Sequence, residues 1–201
     1  MHVERLLVKQ TCSYYNNNSE SFFESTVQVD MTYLYDRFLQ HIPAKGSILD
    51  LGCGSGRDTK AFKDRGYIVD AIDGSEELVR LASAYTGVSV KFLLYEQLES
   101  INEYDGIWAC ASLLHVEYKM LPDILSKINR ALKENGVLYM SFKLGDHDGQ
   151  RDGRYFTDMD DERLIALNTD KLGFTLIDKW QTRDARPDRD VEWFNVILRK
   201  V

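Results

Sequence analysis

The sequence predicts an α/β domain with a doubly wound, mostly parallel seven-stranded sheet, an antiparallel C-terminal hairpin and an extra N-terminal helix. Three observations support this fold class. From residue 47 onward, short apolar runs rich in β-branched and aromatic residues alternate with segments of helical periodicity. A glycine-rich turn joins the first run to the first helical segment. Near the C-terminus two runs are separated only by a charged turn, so the corresponding strands must be antiparallel.

The extra helix is predicted ahead of the sheet. Apolar residues recur there at helical spacing, and Asp30 stands where an N-cap residue belongs. This apolar face consists of Met31, Leu34, Tyr35, Phe38, Leu39 and Ile42. We therefore expect residues 1–45 to form a helical lid that contributes to substrate binding and packs on a core made of residues 46–201.

The core is predicted to begin with five buried strands separated by helical crossovers. The strands are expected at residues 47–52, 67–73, 90–95, 104–112 and 136–143. The first crossover helix ends at Gly66, and the second begins after Ser75, which is a favourable N-cap. Pro122 and Asp123 occupy positions typical of the first turn of the third helix.

A further helix and the hairpin complete the chain. Thr157 and Asp160 have the spacing of a capping box for a helix that extends to about Leu172. The last two strands are predicted at residues 174–180 and 192–200. The charge run between them, residues 182–190, is interpreted as a solvated hairpin tip without a binding role.

Composition narrows the possible functions. The 201 residues are 44% hydrophobic, which is enough for one core, so we expect a single domain over residues 1–201. The net charge of −7 repels nucleic acid and anionic lipid. No apolar run approaches the ~20 residues of a membrane helix, and the first residues do not resemble a signal peptide. Three widely spaced cysteines without a CxxC pair indicate reduced thiols and no metal site. We expect a cytoplasmic monomer or homodimer that binds neither nucleic acid nor membrane.

The glycine-rich turn is the main functional signal. Gly52, Gly54 and Gly56 lie between the first strand and the first helix, where the backbone of an open α/β sheet approaches a ligand closely. Asp50, two residues ahead of the first glycine, would repel the diphosphate of a dinucleotide and attract a cation. Asp73 ends the second strand, where a carboxylate can accept hydrogen bonds from ribose hydroxyls.

These segments resemble a known family. "ILDLGCGSGRDT" (48–59) together with "AIDGSEELV" (71–79) is similar to the cofactor motifs of the class I S-adenosylmethionine-dependent methyltransferases. "VDMTYLYDRF", "GSGRDT", "WACASLLHV" and "GRYF" resemble the small bacterial branch with tellurite-resistance-type and other small-molecule methyltransferases. The resemblance implies a Rossmann-like fold, S-adenosylmethionine as methyl donor and S-adenosylhomocysteine as product.

The resemblance also implies roles for individual residues. Asp50 and Gly52 would bind the amino-acid end of the cofactor, and Asp73 its ribose. The third-strand end would bind adenine, although many family members have an aspartate there and this chain reads "LLYEQL". Glu96 or a backbone carbonyl is expected to take that role. The full predicted cofactor set is Asp50, Gly52, Cys53, Gly54, Gly56, Arg57, Asp73, Gly74, Ser75, Tyr95, Glu96, Gln97 and Ala111.

The methyl acceptor is expected to contact the ends of the fourth and fifth strands and the N-terminal segment. His115 is the candidate catalytic base, and a bracing role in the local turn is the alternative. The predicted acceptor-binding residues are Tyr14, Tyr15, Ser112, Lys143, Arg154 and Tyr155. The "DHD" run at 146–148 is interpreted as part of a flexible polar loop rather than a metal site.

The predicted reaction is an in-line transfer of a methyl group to an O, N, S or metalloid atom of a small molecule. Nucleic-acid methylation is disfavoured, because "ASLLH" stands where enzymes of that kind carry an Asn/Asp-Pro-Pro-aromatic run or a Pro-Cys nucleophile. Protein methylation and a non-catalytic S-adenosylmethionine sensor remain alternatives. A nicotinamide oxidoreductase is disfavoured by Asp50.

Overall fold

The computed structural model describes residues 2–201, with side chains from residue 7 onward. The strands are β1 (Ser47–Leu51), β2 (Ile68–Asp73), β3 (Lys91–Phe92), β4 (Tyr104–Ala109), β5 (Leu132–Lys143), β6 (Asp148–Arg151), β7 (Arg154–Thr157), β8 (Phe174–Arg183) and β9 (Glu192–Lys200). Seven of them form one sheet in the order β3-β2-β1-β4-β5-β9-β8. The first five strands are mutually parallel, and β9 runs antiparallel to both β5 and β8. The predicted fold class is confirmed.

Helices cover both faces of the sheet. They are α1 (His2–Asn17), α2 (Ser19–Thr26), α3 (Thr32–Leu39), α4 (Arg57–Asp64), α5 (Glu76–Thr86), α6 (Leu121–Ala131) and α7 (Asp161–Leu167). Alternate strand residues face opposite layers, as a period of two requires: Leu49 and Ile107 pack with α6, whereas Ile48 and Trp108 pack with α3 and α4. Because both faces are buried, the central strands read as continuous apolar runs.

The predicted extra helix is α3. The carboxylate of Asp30 accepts a hydrogen bond of 2.8 Å from the first backbone N–H of this helix, at Thr32. Phe38 belongs to an aromatic cluster on the face of the sheet that α3 and α4 cover. Its ring centre lies 5.1 Å from that of Trp108. Trp108 in turn stacks on Tyr139 of β5 at 3.9 Å. Each such pair stabilises the fold by about 0.5–1.5 kcal/mol beyond its buried area, so α3 is firmly attached to the core.

The chain between β5 and α7 differs from the prediction. Instead of a flexible polar loop, β6 and β7 form an antiparallel hairpin in which Arg151 pairs with Arg154. Its two-residue turn is Asp152-Gly153, with φ angles of 50° and 76°. An Asp-Gly pair with two positive φ angles is the signature of a type I′ hairpin turn. The signal for this hairpin was therefore present in the sequence.

The bounds of β3 and the start of α7 also differ from the prediction. The third strand is predicted at 90–95, but only Lys91–Phe92 pair with β2, because β3 is an exposed edge strand and Tyr95–Gln97 form a 3₁₀ turn. The predicted capping box is wrong: Thr157 lies in β7, and Asp160 alone caps α7 by accepting from the Arg163 N–H at 2.8 Å.

None of the helices within residues 2–201 combines the length and apolar character needed to cross a membrane.

Candidate functional site

The strand order places a crevice at the carboxyl edge of the sheet. β1 lies between β2 and β4. After β1 the chain continues into α4 on one face of the sheet, and after β4 it continues into α6 on the other face. Ligands of open α/β sheets bind at this point of reversal. A cavity of about 1080 Å³ opens there, between the loops after β1, β2 and β4 and helices α1 and α2. This volume is at the upper end of the range for ligand pockets, about 300–1000 Å³.

The first glycine of the loop is required by packing as well as by conformation. Gly52 has φ of 80°, and a Cβ atom at this position would lie 2.3 Å from the Ser112 hydroxyl and 2.9 Å from the Tyr95 hydroxyl. Ser112 in turn donates to the Leu51 carbonyl. The loops after β1 and β4 therefore touch, which holds the glycine loop in place. Ser112 is predicted to contact the methyl acceptor, and its hydroxyl forms this contact between the two loops.

Gly56 does not line the cavity, and its cofactor contact stays a prediction. With φ of 77°, this residue lies against α5, where a Cβ atom would be 2.7 Å from Thr86 and 3.0 Å from Ala82. Its physical role is to allow α4 and α5 to pack closely. The loop residues Gly52, Cys53, Gly54 and Ser55 form the cavity wall instead.

Asp73 is held by the glycine loop itself. One carboxylate oxygen accepts from the Gly54 N–H at 2.8 Å, and the other accepts from the Ser75 N–H at 2.9 Å. Burial raises the pKa of Asp73, and the backbone hydrogen bonds partly offset this effect. The carboxylate lies on the cavity wall with lone pairs left for further donors. This geometry suits a carboxylate that binds two neighbouring hydroxyl groups.

Asp50 lies beneath the loop rather than on the cavity wall. It is 2% exposed, and its carboxylate accepts a hydrogen bond of 2.6 Å from the Thr59 hydroxyl of α4. Burial and the neighbouring charge of Asp58 raise the pKa of Asp50 to about 8. The binding of Asp50 to the amino-acid end of the cofactor stays a prediction. Its side chain ties β1 to the helix that follows.

A buried ion pair lies next to Asp50. Asp58 accepts two hydrogen bonds from Arg57, at 2.6 and 2.9 Å, and others from the Tyr35 hydroxyl at 2.5 Å and the Trp108 N–H at 2.8 Å. Burial by itself would raise the pKa of Asp58, but the charge of Arg57 and these donors lower it below the ordinary value. Arg57 lines the cavity, and the carboxylate of Asp58 balances its positive charge.

His115 connects three segments at the acceptor end of the cavity. Its Nδ1 atom is 2.6 Å from the Tyr155 carbonyl oxygen, and its Nε2 atom is 2.8 Å from the Tyr15 hydroxyl. A carbonyl can only accept, so Nδ1 carries the proton and Nε2 accepts from Tyr15. Burial lowers the pKa of His115 to about 4; the Tyr155 hydrogen bond opposes this, whereas the charges of Arg154 and Lys143 add to it. The imidazole is neutral at pH 7.

The side chain of Tyr155 points away from the cavity, and its contact with the methyl acceptor stays a prediction. Its hydroxyl donates to Asp148 of β6 at 2.9 Å, and its backbone carbonyl orients His115. In a β-strand, successive side chains alternate in direction, so Arg154 and Phe156 face the cavity instead. Tyr155 therefore supports the site through its backbone.

The structure brings most of the predicted site residues together around one cavity. Those lining the cavity are Gly52, Cys53, Gly54, Arg57, Asp73, Gly74, Ser75, Tyr95, Glu96, Gln97, Ala111, Ser112, His115, Lys143, Arg154, Tyr14 and Tyr15. Lining is a statement of position, and their contacts with ligands stay predictions. In residues 7–201, no cluster of three or more His, Cys, Asp or Glu side chains could hold a metal ion.

The tip of the β8–β9 hairpin lines the cavity, whereas the sequence predicts a solvated tip. β9 pairs antiparallel with β5, so Trp193 lies opposite Lys143, and the β8–β9 tip reaches the carboxyl edge of the sheet. Asp184 and Arg186 form a salt bridge of 2.7 Å there and line the cavity with Trp193. The charge run alone gave no indication of this position. The strand order provides it, because an antiparallel partner of β5 must begin at that edge.

The N-terminal helices cover the glycine loop. Asn16 of α1 accepts a hydrogen bond of 2.6 Å from the Ser75 hydroxyl, which caps α5. The Phe22 ring of α2 lies against Gly54, where an added Cβ atom would be 3.0 Å away. Asn16 was not among the predicted site residues, because no local pattern in the N-terminal segment distinguishes it.

Comparisons with known proteins agree with this architecture. The profile of a family described as a methyltransferase domain matches residues 23–171. The chain is 31% identical over 127 residues to YqeM of Bacillus subtilis (strain 168), a candidate methyltransferase, with 56% of this chain and 51% of that protein covered. It is 28% identical over 120 residues to the ubiquinone biosynthesis O-methyltransferase of Rickettsia canadensis (strain McKiel), covering 56% and 50%. The chain thus spans about half the length of these curated relatives.

A solved structure shares the fold. The 1,6-didemethyltoxoflavin-N1-methyltransferase of Burkholderia thailandensis, crystallised with 1,6-didemethyltoxoflavin and S-adenosylhomocysteine, superposes with a TM-score of 0.79 at 21% identity. The match covers 98% of this chain and 89% of that chain. The family profile extends over more than half of the sequence and includes the glycine loop, Asp73 and His115. The chain belongs to the class I S-adenosylmethionine-dependent methyltransferases.

Proposed function

We propose that this protein transfers the methyl group of S-adenosylmethionine to an O, N, S or metalloid atom of a small molecule by in-line displacement. The observation that carries the proposal is the hydrogen bond of Tyr15 to His115 Nε2, inside the cavity that also contains the glycine loop and Asp73. A proton acceptor and a cofactor platform thus share one enclosed space.

The residues present fit the cofactor. The carboxylate of Asp73 is positioned to accept from two ribose hydroxyls, and Gly52 to Gly54 form a wall without side chains beyond Cys53. Arg57, whose charge is balanced by Asp58, borders the amino-acid end, while Tyr95, Glu96 and Gln97 border the adenine end. A cavity of about 1080 Å³ has room for this cofactor and a small acceptor together.

When bound, S-adenosylmethionine would supply an activated methyl group on its sulfonium. The chain's own contribution is to position the acceptor and exclude water. Positioning alone provides effective molarities of ~10⁵ M or more. Helices α1 and α2 cover the reaction space, consistent with residues 1–45 acting as a lid on a core of residues 46–201 within one functional unit.

His115 removes the proton that the acceptor loses. Its Nε2 lone pair is free of a proton at neutral pH, and the Tyr15 hydroxyl that donates to it belongs to another residue of the cavity lining. The acceptor proton passes to the Tyr15 oxygen as the Tyr15 proton moves to Nε2. A base of such low pKa suits an acceptor group that is itself acidic. The Tyr155 carbonyl stabilises the imidazolium that results.

A small acceptor fits better than a macromolecule. The helices above the cavity leave space for a small molecule beside the cofactor, and the negative net charge of −7 opposes nucleic-acid binding. The two similar proteins described above are an O-methyltransferase and an N1-methyltransferase, so they do not agree on the acceptor atom. Protein methylation and a non-catalytic sensor are the competing functions. A cytoplasmic monomer or homodimer is part of the same proposal.

The test is a methyl-transfer assay with isotopically labelled S-adenosylmethionine. The purified protein is incubated with pools of small phenols, amines, thiols and heteroaromatic acids, and in parallel with total RNA, DNA and denatured protein. The proposal expects label in small products, with S-adenosylhomocysteine formed in equal amount. Label found only in a macromolecule would replace the small acceptor, whereas cofactor binding without transfer to any of these acceptors would favour the sensor.

A further inference from the structure

We infer that the acceptor is an organic acid, and that its carboxylate binds between Lys143 and Arg154. The inference rests on the proposed function and adds the chemical class of the acceptor. We call these two residues the cation patch. They lie at the end of β5 and the start of β7, on the cavity wall next to His115.

The two side chains of the cation patch share one aromatic platform. The Lys143 Nζ atom lies 4.2 Å from the centre of the Phe156 ring, and the Arg154 guanidinium carbon lies 5.0 Å from it. The His115 ring centre is 4.9 Å from the same ring. Phe156 itself is 3% exposed, so the platform is fixed. A ligand that reaches both cations is therefore close to the proposed base.

Neither charge of the cation patch is neutralised. Among the side chains of residues 7–201, no carboxylate lies within 4.0 Å of Lys143 or Arg154. The Nε atom of Arg154 is buried without a hydrogen-bond partner, and one terminal nitrogen has only a long contact of 3.4 Å with Tyr15. A buried charged donor without a partner is costly, so such a group indicates a ligand that completes it.

Other cations buried in the cavity wall are paired, which makes the cation patch distinctive. Arg57 is bound to Asp58 at 2.6 Å, and Arg186 to Asp184 at 2.7 Å. Each of these pairs lies within the wall and needs no ligand charge. Within the cavity wall, as far as residues 7–201 describe it, only the acceptor end combines half-buried cations with a missing counter-charge.

Nearby carboxylates do not neutralise the positive charge of the cation patch. Asp158 is bound to Arg151 at 2.8 Å, which balances that pair, although its second oxygen is buried without a partner. Glu117 is bound to Lys119 at 3.1 Å. With Asp158 already paired, the cation patch keeps its excess positive charge, and its two cations match the two oxygens of a carboxylate.

The test is calorimetric titration of the protein saturated with S-adenosylhomocysteine. The probes are matched pairs of aromatic carboxylates and their primary amides, beginning with 4-hydroxybenzoate and 4-hydroxybenzamide, because the pairs differ only in charge. We expect carboxylates to bind ~10-fold or more tightly than their amides, as charge-assisted hydrogen bonds predict. Equal affinity within the pairs, or no carboxylate binding at millimolar concentration, overturns the inference.

Two variants and a matched control assign the preference. Lys143→Met and Arg154→Met remove one charge each while keeping an unbranched side chain, and both are expected to reduce the carboxylate preference to about twofold or less. Lys171→Met, at an exposed lysine outside the cavity wall, is expected to leave it unchanged. An unchanged preference in both patch variants would also overturn the inference.

The outcome separates the inference from the function on which it rests. If the protein binds S-adenosylhomocysteine and methylates neutral acceptors as well as acids, the methyltransferase proposal stands and the organic-acid inference fails. If carboxylates bind but no methyl transfer occurs with any acceptor, the proposed function fails while the carboxylate site remains.

Discussion

The Tyr15 hydroxyl donates to His115 Nε2 over 2.8 Å, although 100 residues separate the two in the sequence. This bond attaches helix α1 to the loop after β4, next to the wall that holds the cofactor-loop residues. Because Nδ1 is committed to the Tyr155 carbonyl, Nε2 is the nitrogen available for proton transfer. The position of α1 and the hydrogen bonding of His115 are thus linked by one contact.

Replacing either partner should reduce turnover without loss of cofactor binding. His115→Ala removes the proton acceptor, and we expect a fall of ~10²–10⁴-fold in kcat. Tyr15→Phe keeps the ring and removes the relay hydroxyl, so a smaller fall is expected. His41→Ala, at a histidine outside the cavity, is the control. Unaltered kcat in His115→Ala on a true acceptor would assign His115 a purely bracing role.

Asp73→Ala should weaken cofactor binding. The substitution removes charge-assisted hydrogen bonds to the ribose, each worth ~1.5–3 kcal/mol, so the dissociation constant of S-adenosylhomocysteine should rise by about tenfold or more. Asp70→Ala is the matched control, because Asp70 lies on the same strand but outside the cavity wall. Equal dissociation constants for wild type and Asp73→Ala in calorimetry would refute the ribose assignment.

The buried Asp50 should make stability depend on pH. Its pKa is raised to about 8 in the folded protein, against about 3.9 for an unfolded aspartate. Between these values the folded state retains a proton that the unfolded state has lost. The stabilising contribution is therefore complete below about pH 4 and disappears as pH rises toward 8, with a slope of up to ~1.4 kcal/mol per pH unit.

Denaturant unfolding of wild type and Asp50→Asn across this pH range measures the effect. Asparagine is nearly isosteric and can still accept from Thr59, but it does not titrate. The difference in unfolding free energy between the two proteins should move in favour of the variant as pH rises from 5 to 8. A difference independent of pH would show that Asp50 has an ordinary pKa in the folded state.

Phe22 should slow the release of the cofactor. Its ring lies on Gly54, so Phe22→Ala opens the cover of the glycine loop and should raise the dissociation rate of S-adenosylhomocysteine several-fold. Phe23 is the matched control from the same helix, since its ring packs 5.6 Å from Tyr85 and does not line the cavity. Stopped-flow displacement gives both rates, and equal rates for the two variants would exclude a specific role of Phe22.

The sequence predicted the sheet because its signals were strong and local. Buried parallel strands give continuous apolar runs, and residues such as Ser75 and Gly66 mark helix ends without tertiary information. The β6–β7 hairpin was missed although Asp152-Gly153 is a strong turn signal, because the surrounding residues are polar. Helix α1 carries no clear apolar stripe, so its pattern predicted neither its bounds nor its contacts.

The site was predictable in position but not in detail. The glycine spacing and Asp73 identified the cofactor platform, since both belong to short segments next to the sheet edge. By contrast, Asp50 has the same sequence signal whether it faces the ligand or the helix behind the loop, and only its bond to Thr59 distinguishes the two. Trp193 lines the cavity because β9 pairs with β5 in a register that places it opposite Lys143, and local sequence does not reveal such a long-range pairing.

The most direct measurement of the central claim is a calorimetric titration of the purified protein with S-adenosylmethionine, S-adenosylhomocysteine, NAD and NADP. The account predicts micromolar binding of the first two, at one site per chain, and no heat from the nicotinamide nucleotides. Binding of NAD or NADP alone would contradict the assignment of the glycine loop and Asp73 to S-adenosylmethionine.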